Sequence, residues 1–254
     1  MKLRPAISLL SACAVAHTIP LASAQQSGAD WVSLSADTGE ILINAPGFAP
    51  SKAVSSAFFT ADGKNHAVRT KGGKLISKVE TGTADTPFGE AVVTRATYGQ
   101  NGSPYEYTLT LKRLKNLRAF TLQGVFHNRS DKDANLNHID LLDQSGGDIK
   151  TLATGDAAEW LVTPLMQDAD ALSLAETDGG FNEVVLIAHK DGRSVLLGPV
   201  GPAEAHCRVE VKKQKLKAYA QMDRVLVRAG ESRRSEEMIV CFEPTATATD
   251  VWTR

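Results

Sequence analysis

The chain has 254 residues, with 28 Lys and Arg against 29 Asp and Glu, and a formal net charge of -1. This balance excludes a dominant nucleic-acid partner, because nucleic-acid binding requires a basic face that offsets phosphate charge. The length suffices for one large domain or two small ones with a buried core.

Residues 1–24 have the pattern of a secretory signal peptide. Lys2 and Arg4 precede an apolar stretch, and an Ala-Ser-Ala sequence at 22–24 forms a small-residue cleavage site. We therefore expect cleavage after residue 24 and export to the periplasm or the extracellular space. The minority alternative is a lipoprotein box at 10–13, which would leave Cys13 lipidated.

Alternation of apolar and polar residues dominates the rest of the chain and predicts strands. In chain order, the predicted strands are 40–45, 53–60, 74–81, 90–99, 105–114, 119–128, 183–190, 194–200, 207–213, 216–222, 224–229 and 236–244. One short helical turn is predicted at 157–161, before Pro164. No stretch after the signal reaches the roughly 20 apolar residues of a membrane helix. Residues 25–254 are predicted to form a single antiparallel β-sandwich domain with very little helix.

The segment FHNRSDKDANLNHIDLLDQSGG, 126–147, places Asp131, Asp133, Asn135 and Asn137 at alternate positions, as at the start of a calcium loop. A calcium loop of the EF type needs Gly at its sixth position and Glu at its twelfth, and both positions are Leu here. We expect these side chains to bend the backbone and cap its free N–H groups. A pair of catalytic carboxylates among Asp131, Asp133, Asp140 and Asp143 is disfavoured, because we expect these residues to lie in a solvated turn and the strand that follows it.

Neither a metal nor a cofactor is predicted, because zinc, nucleotide and dinucleotide motifs are lacking. His127 and His138 flank the turn of this segment and could face each other across its hairpin, but a third ligand is not evident. The Gly230-Glu231-Ser232 step lacks the second Gly and the helix of a serine-hydrolase elbow. The sequence therefore indicates no catalytic residue.

Cys207 and Cys241 are the two thiols that remain after signal cleavage. In an oxidising compartment they could form a disulfide. Both cysteines also lie in apolar strand sequences, which fits two separate buried thiols equally well. The sequence leaves these alternatives open.

Three aromatic residues are candidates for sugar binding, because a flat ring packs on the apolar face of a pyranose. They are Trp160, in the least strand-like segment, and Tyr105 and Tyr107. For Trp160 the alternative is a place in the core, since tryptophans are highly buried on average.

The segments LTLKRLKNLRAFTLQGVFHNRSDKDANLNHIDLLD and VLVRAGESRRSEEMIVCFEPTATATDVWTR resemble the N-terminal β-supersandwich domain of α-galactosidase-like glycoside hydrolases, a clan that includes raffinose synthase-like proteins. In that family the catalytic aspartates lie in a (β/α)8 barrel, which has no counterpart here. The resemblance implies a non-catalytic, carbohydrate-associated module that binds glycans or accompanies a separate glycoside hydrolase subunit. The alternatives are a polysaccharide hydrolase or lyase with an unrecognised site, and a truncated glycosidase relic. The oligomeric state is not predicted.

Overall fold

The computed structural model describes residues 30–144, 156–164, 171–181, 184–200, 206–212 and 215–243. The predicted signal peptide and Cys13 lie outside the described residues. Every strand pairing in the described part is antiparallel, and the strands form two sheets. The predicted all-β, sandwich architecture is confirmed.

The first sheet has eight strands. Along the sheet their order is β1-β2-β3-β10-β17-β16-β13, and β4 also pairs with β3. Their ranges are β1 (Val32–Leu34), β2 (Ile41–Ile43), β3 (Ser51–Ala61), β4 (Lys64–Arg69), β10 (Ala134–Asp143), β13 (Asp178–Phe181), β16 (His206–Lys212) and β17 (Lys215–Val227).

The second sheet has eleven strands. Their order is β12-β11-β14-β15-β19-β9-β8-β7-β5, with β18 paired to β9 and β6 paired to β7. The ranges are β5 (Lys74–Leu75), β6 (Glu80–Thr86), β7 (Gly89–Gly99), β8 (Tyr105–Leu114), β9 (Ala119–Asn128), β11 (Trp160–Pro164), β12 (Leu172–Ser173), β14 (Val185–His189), β15 (Ser194–Pro199), β18 (Ser232–Arg234) and β19 (Met238–Glu243).

Alternating side chains of both sheets form one large core between them. Because successive residues of a strand point to opposite faces, each long strand contributes every second side chain to this core. Phe59 of β3 contacts Tyr105 and Phe126 of the second sheet, with ring centroids 4.4 and 4.7 Å apart. A smaller apolar cluster, which includes Cys241, lies apart from the large core.

Two predicted regions are divided differently in the structure, and six strands, β1, β4, β11, β12, β13 and β18, were not predicted. Residues 216–222 and 224–229 were predicted as separate strands, but one strand, β17, runs through both. Asp223 and Arg224 adopt φ values of 47° and 62° there, which bends β17 without ending it. The predicted strand at 74–81 instead divides into β5 and the start of β6. The predicted helical turn is a 3-10 helix at Ala157–Glu159, and the strand β11 begins directly after it.

Candidate functional site

The outer face of the first sheet, which points away from the core, carries three rows of polar side chains. Strands β10, β17 and β16 are neighbours, and their core-facing positions hold apolar residues such as Ile139, Ala220 and Val209. The residues between them therefore point outward. The cross-strand register aligns them as His138–Gln221–His206, Asp140–Tyr219–Arg208 and Asp143–Lys217–Glu210. We call these nine residues the polar face.

Asp140 is the most deeply buried member of the polar face, with an exposed fraction of 0%. The ammonium group of Lys217 lies 3.2 Å from its Oδ2 atom. Burial raises the pKa of Asp140 to about 7, and the positive charge of Lys217 opposes this rise. The carboxyl group is therefore poised between its neutral and charged forms near neutral pH.

His138 covers one side of this carboxyl group. Its Nε2 atom lies 3.6 Å from Asp140 Oδ1, which is too long for a hydrogen bond. Its ring stacks on Phe58 of β3 at a centroid distance of 4.5 Å. Burial and the charge of Lys217 lower the pKa of His138 to about 4, so that the imidazole is neutral at pH 7.

Tyr219 of β17 lies opposite Asp140 in the strand pairing, and its ring centroid is 5.8 Å from that of His138. Its hydroxyl donates a hydrogen bond of 2.8 Å to Glu210 Oε1. Burial, together with this bond and the charge of Glu210, raises the pKa of Tyr219 to about 12. Lys217 Nζ lies 5.1 Å from the centre of the Tyr219 ring, within the range of a cation–π contact.

A shallow pocket of about 330 Å³ lies at one edge of the polar face and is lined by His206, Arg208, Gln221 and Asp223. Two of the lining residues are joined by a hydrogen bond, in which Gln221 Nε2 donates to Asp223 Oδ1 over 3.1 Å. The Nε atom of Arg208 is buried and makes no hydrogen bond to any described residue. The pocket thus offers amide, guanidinium and carboxylate groups to a ligand.

A hydrogen-bonded chain through the core fixes the backbone beneath Asp140. Ser55 donates to the Asp140 carbonyl oxygen over 2.6 Å, and its oxygen lies 2.6 Å from the Tyr107 hydroxyl. Because the single Ser55 proton is used, the Tyr107 hydroxyl is the donor to Ser55. Tyr107 lies on the second sheet, so this chain connects both sheets to the polar face.

The three aromatic residues predicted to bind sugar are core residues, which corrects that interpretation. Trp160, Tyr105 and Tyr107 are 1%, 8% and 0% exposed, so none offers a free ring face to a ligand. The Trp160 ring packs against Phe48 and His189, at centroid distances of 5.9 and 4.9 Å. The alternative of a core tryptophan is the one that the structure supports.

A second charged cluster surrounds Trp160. The Nε2 atom of buried His189 lies 3.2 Å from Glu159, and its Nδ1 atom lies 2.8 Å from Asp191. Arg193 pairs with Asp191 and lies 5.3 Å from the Trp160 ring centre. The Arg193 guanidinium holds the pKa of Asp191 well below its usual range. The charged and polar groups of this cluster pair with one another, and they stabilise the turn between β14 and β15.

Cys207 and Cys241 are buried and form no disulfide with each other. Cys207 lies on β16 of the first sheet, whereas Cys241 lies on β19 of the second sheet and belongs to the smaller apolar cluster. Of the two alternatives that the sequence left open, the structure therefore has two separate thiols. Burial raises the pKa of the Cys207 thiol to about 12.

Of the four alternating Asp and Asn side chains, Asp133 caps a backbone group as predicted, whereas Asn135 and Asn137 lie within β10. Asp133 accepts a hydrogen bond from the Ala229 N–H at 3.1 Å, and Asn128 accepts one from the Ser130 N–H at 3.1 Å. His127 and His138 lie on different sheets, so they do not form a pair. Within the described ranges, no group of three or more His, Cys, Asp and Glu side chains is placed to hold a metal ion. Nor does any helix there have the length and apolarity to cross a membrane.

Two solved structures contain a part with a similar fold. The α-N-acetylgalactosaminidase NagBb from Bifidobacterium bifidum, solved with GalNAc, has a TM-score of 0.56 and 9% identity over 87% of this chain and 36% of its own. The GH36 α-galactosidase AgaA from Geobacillus stearothermophilus has a TM-score of 0.50 and 13% identity over 80% of this chain and 32% of its own.

No protein-family model and no curated protein sequence matches the chain. The chain spans about a third of the length of the two solved structures. It has the fold of a β-domain of GH36 glycoside hydrolases, which confirms the resemblance inferred from the sequence at the level of the fold.

Proposed function

We propose that the chain is an exported, carbohydrate-associated β-sandwich that binds glycans on the polar face and does not cleave glycosidic bonds. The observation that carries the proposal is the pocket lined by His206, Arg208, Gln221 and Asp223. Sugar hydroxyls both donate and accept hydrogen bonds, and these side chains supply both functions. The GH36 fold supports the carbohydrate class of ligand.

Phe58 and His138 extend the site beside the pocket. Their stacked rings lie on the same outer face, and His138 aligns with Gln221 across the β10–β17 pair. A pyranose held by the pocket can place its apolar face against such rings. Galactose- and GalNAc-terminated glycans are the first ligands to test, because the two similar structures are an α-galactosidase and an α-N-acetylgalactosaminidase.

The burial of Asp140 favours binding over glycosidic cleavage. A catalytic acid must come within hydrogen-bonding distance of the atom that it protonates. Asp140 is fully buried, and Lys217 and His138 lie 3.2 and 3.6 Å from its carboxyl oxygens. Its pKa of about 7 nevertheless suits a general acid and is the specific observation that favours the second candidate, a polysaccharide hydrolase or lyase.

A glycan array probed with residues 25–254 tests the proposal. We expect binding to a defined set of glycans without release of reducing ends over prolonged incubation. Turnover that Asp140→Asn abolishes would favour the hydrolase or lyase. An array without any bound glycan would contradict the proposal and favour a partner-dependent domain, which accompanies a separate glycoside hydrolase subunit, or a truncated relic.

A further inference from the structure

The second sheet carries a hydroxyl–imidazole pair on its outer face. Ser232 Oγ lies 2.7 Å from Nδ1 of His127. Nε2 of the same ring lies 2.8 Å from Thr108 Oγ1, which lies 2.9 Å from Thr97 Oγ1. These four residues belong to β18, β9, β8 and β7, so the row crosses four adjacent strands. The imidazole is therefore held at both nitrogens.

The register of β18 on β9 explains the close approach of Ser232 and His127. The Asn128 N–H donates to the Glu231 carbonyl over 2.9 Å, and backbone bonds in an antiparallel pair recur at every second residue pair. Ser232 and His127 are the residue pair that follows Glu231 and Asn128 along the two strands. Their backbones therefore form no hydrogen bond with each other. Side chains lie closest in pairs of this kind. The Ser232 N–H consequently points away from β9, to an edge with which no described strand pairs.

Burial and the charge of Arg129 favour the neutral form of the His127 ring, in which it can act as a base. Burial lowers the pKa of His127, Arg129 lowers it further, and Glu106 opposes both. The ring is therefore neutral at pH 7. When Nε2–H donates to Thr108, Nδ1 presents its lone pair to the hydroxyl of Ser232, which is exposed to solvent.

We propose that Ser232 and His127 form a nucleophile–base pair that hydrolyses small acyl esters. Ser232 Oγ bonds to the ester carbonyl carbon while its proton passes to His127 Nδ1. The carbonyl oxygen becomes an oxyanion, which the free N–H of Ser232 is placed to stabilise. The intermediate expels the alcohol, which takes the proton from His127. Water then attacks the acyl group by the same proton transfers and releases the carboxylic acid and free Ser232.

Ser232 lies at an open strand edge, whereas the nucleophile of a serine-hydrolase elbow lies on a tight turn between a strand and a helix. The edge exposes both the hydroxyl and the adjacent N–H, and the acyl group needs no deep pocket when it is small. The pair lies on the other sheet from the polar face, so the proposal is independent of glycan binding.

The test uses residues 25–254, a fluorophosphonate probe and p-nitrophenyl acetate. We expect the probe to label Ser232, identified by peptide mass spectrometry. We expect kcat/KM for the acetate ester to fall at least tenfold in Ser232→Ala and in His127→Gln, which keeps hydrogen-bonding groups but removes the base. Ser35→Ala is the control, because Ser35 Oγ accepts a hydrogen bond from the Thr38 backbone N–H and forms none with a histidine of the described residues.

Thermal melting of each variant checks that the fold is retained, and Ser232→Cys keeps a nucleophile at the same place. Labelling at Ser232 that His127→Gln suppresses supports the proposal. Labelling at other serines, or equal ester hydrolysis by the parent chain and Ser232→Ala, overturns it.

Discussion

Lys217 Nζ lies 3.2 Å from Asp140 Oδ2 on the outer face of the first sheet, where the carboxyl group is fully buried and the lysine side chain is 26% exposed. A buried carboxylate requires a partner because removing its charge from water costs several kcal/mol. The pair therefore fixes the centre of the polar face, while Gln221, Arg208 and His206 remain available at its edge.

Asp140 and His138 should change the unfolding free energy in opposite directions as the pH rises. The pKa of Asp140 is raised from 3.8 to about 7. The stabilisation that this shift gives the folded chain is therefore complete below pH 3.8 and is lost as the pH rises toward 7. The pKa of His138 is lowered to about 4, so its contribution is complete above 6.5 and is lost as pH falls toward 4. The two effects oppose each other between pH 4 and 6.5.

Urea unfolding from pH 4 to 8 measures these slopes. We expect the unfolding free energy of His138→Gln to fall with pH between 4 and 6.5 relative to the parent chain, by up to about 1.4 kcal/mol per pH unit. Asp140→Asn should show the opposite difference, a relative rise. Parallel curves for both variants and the parent would contradict the assigned burial of these groups.

Trp160→Ala should destabilise the fold. Trp160 is 1% exposed and packs on Phe48 and His189, so truncation leaves a cavity in the core. We expect a loss of about 3–5 kcal/mol of unfolding free energy, measured by urea titration, with a smaller loss for Trp160→Phe. An unchanged unfolding free energy with lost glycan binding would instead restore Trp160 as a surface ligand.

Tyr107→Phe and Tyr98→Phe form a matched pair of core variants. Tyr107 donates to Ser55, whereas the buried Tyr98 hydroxyl has no hydrogen-bond partner among the described residues. We expect Tyr107→Phe to cost about 1–2 kcal/mol. Tyr98→Phe should be neutral or stabilising, since it removes an unsatisfied buried group. Thermal unfolding of both variants measures this difference. Equal destabilisation by the two substitutions would contradict the assigned role of the Tyr107 hydroxyl.

The two thiols should be unreactive in the folded chain and reactive after unfolding. The raised pKa of Cys207 leaves almost no thiolate at pH 8, and Cys241 is 8% exposed. Iodoacetamide should label both cysteines in guanidinium chloride without a reductant. If labelling in guanidinium required prior reduction, the cysteines would be joined by a disulfide.

The alternation of apolar and polar residues predicted the β-sandwich fold, but it did not predict the polar face. Alternation predicted β3, β7, β8 and β9 closely because their inner positions are apolar. It missed β1, β4, β11, β12, β13, β18 and most of β6. For β4 and β6 the reason is that KNHAVR and ETGTADT present few apolar side chains. For the same reason, backbone pairing rather than a hydrophobic face defines these two strands.

The polar face depends on register, which a single sequence does not contain. His206, Arg208 and Glu210 alternate with Cys207, Val209 and Val211, so their common face was already visible in the sequence. Their alignment with β17 and β10 joins residues about 70 positions apart. Trp160 was predicted to bind sugar because it is aromatic, but in the structure this ring packs against Phe48 in the core.

Calorimetric titration of the best array glycan into the parent chain and Gln221→Ala tests the central claim most directly. Gln221 lines the pocket and is not part of the core, so its truncation should weaken binding about tenfold by removing one hydrogen bond. Arg95→Ala, an exposed position on the second sheet, is the control and should bind like the parent chain. Equal affinity of the parent chain and Gln221→Ala would contradict a glycan site on the polar face.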